Sequence, residues 1–112
     1  MRVLLDSCVP KKLSREISAH EVRTAPQLGW GDLDDGPLLN AMSGGFDAFV
    51  TVDKSIRYQQ NLGVRSFGVI ILRAKTNRIS DLLPLVPELC AVLAEIRPGD
   101  VREIGTIKED AK

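Results

Sequence analysis

The 112-residue sequence has little cysteine, histidine or aromatic side chain and no net charge. Two cysteines and one histidine, with no Cys-x-x-Cys pair, exclude a structural zinc site and a disulfide scaffold and favour a reducing compartment. Fifteen basic and fifteen acidic residues exclude a generally basic nucleic-acid coat protein. No apolar run reaches the length of a membrane span, and the first residues lack the apolar stretch of a signal peptide. We therefore expect a cytoplasmic protein without a membrane segment.

The sequence does contain enough apolar residues for one core. They make up 44% of the chain, whose length is close to that of a common single domain. We expect one domain over residues 1–107 and a frayed tail over residues 108–112.

Short apolar runs alternate along the chain with stretches of helical periodicity. Such alternation implies right-handed crossovers between parallel strands. We therefore predict an α/β fold, a three-layer α/β/α sandwich with a mainly parallel central sheet. The predicted strands cover residues 3–5, 21–24, 46–52, 67–72 and 101–107. The predicted helices cover residues 10–19, 38–42, 54–61 and 79–96, the last with its regular part confined to the second half by Pro84 and Pro87.

Two aspartates stand where predicted strands end. Asp6 directly follows an apolar run, and Asp53 follows the predicted strand of residues 46–52. Ligand sites of such sheets form beyond the carboxyl ends of the strands, so we expect the two carboxylates to lie close together. Close carboxylates repel unless a cation lies between them, and Mg²⁺ binds one or two carboxylates while it keeps its waters. The alternative is that each carboxylate only caps the helix that follows it.

Asp34 and Asp35 open the predicted helix that carries Leu38. Acidic residues favour the positive end of a helix dipole, and N-capping alone would explain both of them. The functional interpretation makes Asp35 a third acid of the site, which reaches the edge of the sheet from the start of the helix.

The zero net charge hides two segments of opposite sign. Residues 24–53 contain aspartates and no basic residue, whereas residues 54–78 contain basic residues and no acidic one. A polyanionic substrate needs both, because bare carboxylates would repel its phosphates. Chance clustering of solvated charges is the alternative. The basic residues are Lys54, Arg57, Arg65, Arg73, Lys75 and Arg78.

Several side chains near Asp53 have the chemistry of nucleic-acid contacts. Arginine and glutamine can hydrogen-bond phosphate or base edges, and Tyr58 can stack on an unpaired base. Arg73 should lie beside Asp53, because it ends the next strand along the chain. The alternative is a simply polar helix with Tyr58 half buried. The candidate substrate-binding residues are Lys54, Arg57, Tyr58, Gln59, Gln60 and Arg73.

The remaining unusual residues favour structural roles. Trp30, the one tryptophan, could stack a base but is expected to close the core. Cys8 should pack beneath the first helix and Cys90 on the apolar face of the last one, and neither has a cationic neighbour in sequence that would make it reactive. His20 is placed at a helix end, where its charge would favour the dipole.

Several segments together resemble a family of short bacterial proteins with a PIN-like domain, distantly similar to VapC-type toxin nucleases. The resemblance covers roughly residues 1–105, and the run of residues 59–62 is specific to this group. The segments that carry it are Asp6–Pro10, Gly29–Trp30, Asp35–Leu39, Phe46–Asp53 and Tyr58–Leu62.

The resemblance assigns the catalytic site to Asp6, Asp35 and Asp53, with Thr51 as the accompanying hydroxyl. In the family the acids hold Mg²⁺ or Mn²⁺, which activates water to attack an RNA phosphodiester. The chain departs from the family in two ways: Ser7 stands where relatives commonly carry glutamate, and a fourth acid expected soon after Asp53 is missing. A weaker metal site, or one that has lost catalysis, would follow.

Three functions compete at this stage. The leading hypothesis is a Mg²⁺- or Mn²⁺-dependent ribonuclease, either the toxin of a toxin–antitoxin pair with an antitoxin partner or an RNA-processing component. The second is a catalytically silent PIN-like module that binds RNA or a partner protein. The third is a receiver domain phosphorylated on Asp53, but the acidic pair that receivers need after the first strand is reduced to Asp6. The resemblance also implies a homodimer, for which helical residues 82–86 offer more apolar side chains than one face requires.

Overall fold

The computed structural model describes residues 1–105, which contain five strands in one all-parallel sheet. The strands are β1 (Arg2–Leu5), β2 (Glu21–Thr24), β3 (Ala48–Thr51), β4 (Gly68–Leu72) and β5 (Val101–Ile104). β3 and β4 are buried at every position, as parallel strands covered on both faces must be. The order across the sheet is β2-β1-β3-β4-β5. The predicted α/β class and parallel sheet are confirmed.

Helices connect the strands, some of them α-helical and some 3₁₀. The α-helices within residues 1–105 are α1 (Asp35–Met42), α2 (Ile56–Gln59), α3 (Ile79–Leu82) and α4 (Val86–Leu93). The segments of 3₁₀-helix are Lys11–Ile17, Pro26–Leu28, Leu62–Val64 and Leu83–Leu85.

The first predicted helix, over residues 10–19, forms as the 3₁₀-helix Lys11–Ile17. It has neither a side-chain N-cap nor an acidic residue in its first turn, and both of these would stabilise the start of an α-helix. Its apolar residues Leu13 and Ile17 are nevertheless buried, in the core on one face of the sheet.

The long predicted helix over residues 79–96 is broken in the way its prolines require. α3 ends at Leu82, a 3₁₀ turn contains Pro84, and α4 begins with Pro87 in its first turn. The regular part is therefore the second half, as expected.

Two cores lie on opposite faces of the sheet and make the three layers. One core packs Leu13 and Ile17 with residues of α3 and α4, such as Leu89. The other packs α1 and α2 against the opposite face, through residues such as Leu39 and Ile56. The three-layer prediction agrees with this arrangement.

The strand order reverses between β1 and β3. β2 extends the sheet to one side of β1, whereas β3, β4 and β5 extend it to the other. In open parallel sheets such a reversal leaves a crevice outside the carboxyl ends of the two strands, and ligands bind there. Asp6 and Asp53 follow these two strands.

The end of the predicted last strand, residues 106–107, and the predicted tail, residues 108–112, lie outside the described residues. Over residues 1–105, no helix combines the length and the hydropathy needed to cross a bilayer.

Candidate active site

A row of side chains crosses one face of the sheet near the carboxyl ends of its strands. Asp6 follows β1 and lies beside Thr51, the last residue of β3. Thr51 is in register with Ile71 of β4, and Ile71 with Glu103 of β5. Because side chains alternate along a strand, the row shares the face of Phe49, which α1 and α2 cover.

Asp6 is buried, with only 8% of its surface exposed, and both of its carboxylate oxygens are held. The Thr51 hydroxyl donates to Oδ2 at 2.7 Å, and the backbone N–H of Ser7 donates to Oδ1 at 2.8 Å. The 3₁₀-helix that follows begins at Lys11 without a side-chain cap. The alternative that Asp6 only caps this helix is therefore wrong.

Asp53 is tied to Asp6 through the same hydroxyl. The backbone N–H of Asp53 donates to Thr51 Oγ1 at 3.0 Å. Asp53 Oδ1 accepts bonds from the backbone N–H of Ser55 at 3.0 Å and from its hydroxyl at 2.6 Å. Oδ2 has no hydrogen-bond partner among residues 1–105. One oxygen shapes the turn before α2, and the other is available to a ligand.

Asp35 is the first residue of α1 and is half-buried. Burial, followed by the negative charges of Asp53, Asp6 and Asp34, raises the pKa of the Asp35 carboxyl above its ordinary value. Asp34 makes no side-chain capping bond, although it occupies the N-cap position. The negative charges of the three predicted acids thus act on one another at one edge of the sheet.

These acids are hard oxygen donors of the kind that Mg²⁺ and Mn²⁺ bind. Mg²⁺ needs only one or two protein carboxylates, because it retains several waters. Within residues 1–105, no three His, Cys, Asp or Glu side chains form a ready-made metal-binding group. The donor set therefore fits a hydrated divalent ion on Asp6 and Asp53, and does not form a closed protein cage.

A cleft of about 330 Å³ opens beside Asp53 at the carboxyl ends of β3 and β4. Lys54 and Arg73 line it together with Asp53, and so do Thr76 and Asn77. Arg73 thus lies at the same edge as Asp53, as its place at the end of the neighbouring strand predicts. A phosphate in this cleft would meet positive charge next to the acids.

Arg57 and Arg73 also share a partner that the sequence did not reveal. Glu103 of β5 accepts a bond from Arg73 Nη1 at 2.8 Å and another from Arg57 Nη1. The pairing joins residues 46 and 30 positions apart, and no local pattern indicates it. Both arginines are therefore partly neutralised.

The other predicted substrate-binding residues lie on and around α2. Tyr58 is 82% exposed, so the alternative that it is half buried is wrong. Gln59 is also exposed, whereas Gln60 is half-buried. A Cβ atom at Gly36 would lie 3.8 Å from the Gln60 amide, which places Gln60 against the start of α1 beside Asp35.

Cys8 is a site residue that sequence reasoning missed. Its Sγ lies 3.5 Å from Asp6 Oδ2 and 3.6 Å from Thr51 Oγ1, within the acid cluster as well as against the core. Burial raises the pKa of the Cys8 thiol, so it is not a reactive thiolate, as the lack of a cationic neighbour predicts. The signal was its spacing of two residues from Asp6.

Trp30 has the structural role predicted for it. It is half-buried and packs edge-to-face on Phe46, with ring centroids 6.2 Å apart. A role in base stacking is not needed to explain its position.

In comparisons with known proteins, no family model, curated protein or solved structure matches this chain. The PIN-like resemblance and the roles it assigns therefore stay predictions.

Proposed function

We propose that the protein is a Mg²⁺- or Mn²⁺-dependent ribonuclease with a PIN-like domain. The observation that carries the proposal is the convergence of Asp6 and Asp53 at the reversal of strand order. There the buried hydroxyl of Thr51 donates to the Asp6 carboxylate and accepts from the backbone N–H of Asp53. The negative charges of Asp53 and Asp6 also act on a third carboxylate, that of Asp35, and together with burial they raise its pKa.

In this proposal each residue of the cluster has a distinct task. Thr51 and the backbone N–H of Ser7 fix the orientation of the Asp6 carboxylate. Asp53 presents its unbonded oxygen, Oδ2, to the ion, and Asp35 adds negative charge from the start of α1. When bound, Mg²⁺ or Mn²⁺ supplies a more acidic water as nucleophile and stabilises charge on the phosphoryl group.

The surroundings of the cluster suit single-stranded RNA. Lys54 and Arg73 line the cleft beside Asp53, where they would contact phosphates. The exposed ring of Tyr58 offers a stacking surface for an unpaired base. A strand of RNA could thus be held by its backbone and one base while a phosphodiester reaches the acids.

The proposal extends to biological context through the resemblance and, for the cytoplasm, through the low cysteine content. It makes the protein a cytoplasmic nuclease, the toxin of a toxin–antitoxin pair with a protein antitoxin, and a homodimer. The surface offered for self-association by residues 82–86 is modest, since Leu82 is buried and Leu83 is 40% exposed.

The decisive experiment measures metal binding and cleavage on the same variants. Mn²⁺ in the millimolar range should raise the melting temperature of the metal-free protein by mass action. Asp53→Asn should abolish the increase, whereas Asp32→Asn, which changes an exposed acid outside the cluster, should retain it. RNA cleavage should disappear in EDTA and in Asp53→Asn. Equal melting temperatures with and without Mn²⁺ would overturn the proposed metal site.

A second candidate function is a silent module that binds RNA or a protein without cutting. The absence of a three-residue metal-binding group within residues 1–105 and the missing fourth acid support it. Such a module would bind RNA with the same salt dependence and never cleave it, whichever metal is supplied. If the protein neither binds nor cleaves a varied RNA pool at low salt, both RNA functions fail.

A further inference from the structure

The carboxylate of Glu103 gathers two arginines from different elements at the carboxyl end of the sheet. Arg73 follows β4 and donates to Oε1 at 2.8 Å, while Arg57 of α2 donates to Oε2. The side chains of Glu103 and Arg73 are 21% and 20% exposed, and that of Arg57 is 35% exposed. The cluster is therefore partly shielded from water and still reachable from the surface.

In this cluster the guanidinium groups of Arg57 and Arg73 both meet the one carboxylate of Glu103. Burial acts to raise the pKa of Glu103, but the hydrogen bonds and charges of Arg73 and Arg57 outweigh it and hold the pKa below its ordinary value. Glu103 is therefore ionised at neutral pH, and protonation does not release the arginines.

The cluster belongs to the same face of the sheet as the acids. Glu103 is in register with Ile71, and Ile71 with Thr51. Two strand spacings separate Glu103 from Thr51, which is about 10 Å. Arg73 also lines the cleft that contains Asp53. The arginine pair therefore lies at the same edge of the sheet as the acids, and Arg73 borders the cleft beside Asp53.

Two arginines that converge on one anion have the geometry of a phosphate site, because the guanidinium fork matches the oxygens of a carboxylate and of a phosphate equally well. We propose that Arg57 and Arg73 form a phosphate-binding site, that Glu103 occupies it as an internal anion in the free protein, and that a phosphodiester of single-stranded RNA displaces Glu103. The inference rests on the proposed function for the identity of this ligand as RNA. Glu103 then limits RNA affinity and keeps the arginines positioned.

The chain provides a matched control in Glu21. It also pairs with two arginines, Arg2 at 3.3 Å and Arg23 at 3.4 Å. Glu21 begins β2, so it lies at the amino end of the opposite edge strand, far from the acid cluster. Glu21→Gln therefore makes the same change in net charge and breaks the same kind of cluster at a place where no ligand is proposed.

The test measures the affinity of a short fluorescent single-stranded RNA across a range of KCl concentrations, in EDTA so that no cleavage occurs. Glu103→Gln should steepen the dependence of log K on log salt by about 0.7, the value of one phosphate contact on a single strand. If the variant and the wild type bind equally at the highest salt, the variant should bind about fivefold more tightly than the wild type after a tenfold reduction in salt. Glu21→Gln should leave the slope unchanged, and Arg57→Gln with Arg73→Gln should abolish the gain.

A Glu103→Gln variant that binds like the wild type or more weakly would overturn the inference, and so would an equal gain in Glu21→Gln. Melting curves establish that each variant is folded, and Glu103→Met gives a second neutral side chain of similar length. If neither variant at this position folds, Glu103 cannot leave its arginines and the inference is also wrong. A gain in Glu103→Gln without a Mn²⁺ effect in the wild type would refute the nuclease and leave the phosphate site standing.

Discussion

The hydroxyl of Thr51 connects the two acids, and its removal gives the sharpest test of the site. The side chain is completely buried, donates to Asp6 Oδ2 at 2.7 Å and accepts from the backbone N–H of Asp53 at 3.0 Å. Thr51→Val keeps the shape and loses both bonds. A hydrogen bond to a charged group contributes about 2 kcal/mol, and the unpaired N–H costs about 1 kcal/mol more. We expect the free energy of unfolding to fall by about 3 kcal/mol.

Thr24 offers the control for this substitution. It is buried too, with 5% exposed, but its hydroxyl accepts a single neutral bond, from the backbone N–H of Gln27 at 3.2 Å. Thr24→Val should therefore cost only about 1 kcal/mol. With a urea m-value of about 1.5 kcal/mol/M, the midpoints should fall by about 2 M for Thr51→Val and about 0.7 M for Thr24→Val.

Urea unfolding at neutral pH, followed by circular dichroism, measures both midpoints. Thr51→Ser, which keeps the hydroxyl and loses one methyl group, should cost about 1 kcal/mol. Two results would contradict this role of the hydroxyl: a Thr51→Val variant as stable as Thr24→Val, or a Thr51→Ser variant as destabilised as Thr51→Val. In either case the hydroxyl would not be holding the acids.

Three further predictions concern pH, packing and assembly. Because the pKa of Asp35 is raised in the folded protein, its ionisation opposes folding above that pKa. Asp35→Asn should therefore raise the melting temperature at pH 7. This increase should vanish as the pH falls below the ordinary carboxyl pKa of 3.8. Gly68→Ala should lower the free energy of unfolding in urea by about 2 kcal/mol, because its Cβ would lie 2.4 Å from Ile96 Cγ1. Gly63→Ala, at an exposed position, should lower it by less than about 0.5 kcal/mol, as surface substitutions usually do. Sedimentation at tens of micromolar should detect a dimer that Leu83→Glu disrupts, and a monomer in the unmodified protein would contradict self-association.

The sequence predicted the sheet well because each buried strand is a short run of apolar residues. A run such as Val69–Leu72 is buried on both faces, and in a small α/β domain a run of this kind is typical of a central parallel strand. The same logic placed Asp6 and Asp53 at one edge, since parallel strands end on the same side. The break in the long helix followed from Pro84 and Pro87 by steric necessity.

Sequence reasoning failed where a contact depends on how distant segments meet. The Cys8 thiol was assigned to the core, and only the docking of β3 beside β1 brings it to Thr51. Glu103 was not singled out, because its two arginines come from α2 and from the end of β4. The 3₁₀ form of Lys11–Ile17 was also missed, since apolar spacing marks a buried helical face and does not fix the hydrogen-bond pattern.

The position of β1 between β2 and β3 also determines how the molecule can assemble. One edge of β1 pairs with β2, which begins at Glu21, 19 residues after Arg2. The other edge pairs with β3, whose Thr51 contacts Asp6 although the two residues are 45 positions apart. While β3 is not docked, that edge of β1 exposes unpaired backbone N–H and C=O groups, which can pair with another chain. The docking of β3 on β1 both covers this edge and brings Asp53 near Asp6 through Thr51. A substitution that slows the docking of β3 should therefore lengthen the aggregation-prone stage and delay the acid cluster by the same interval.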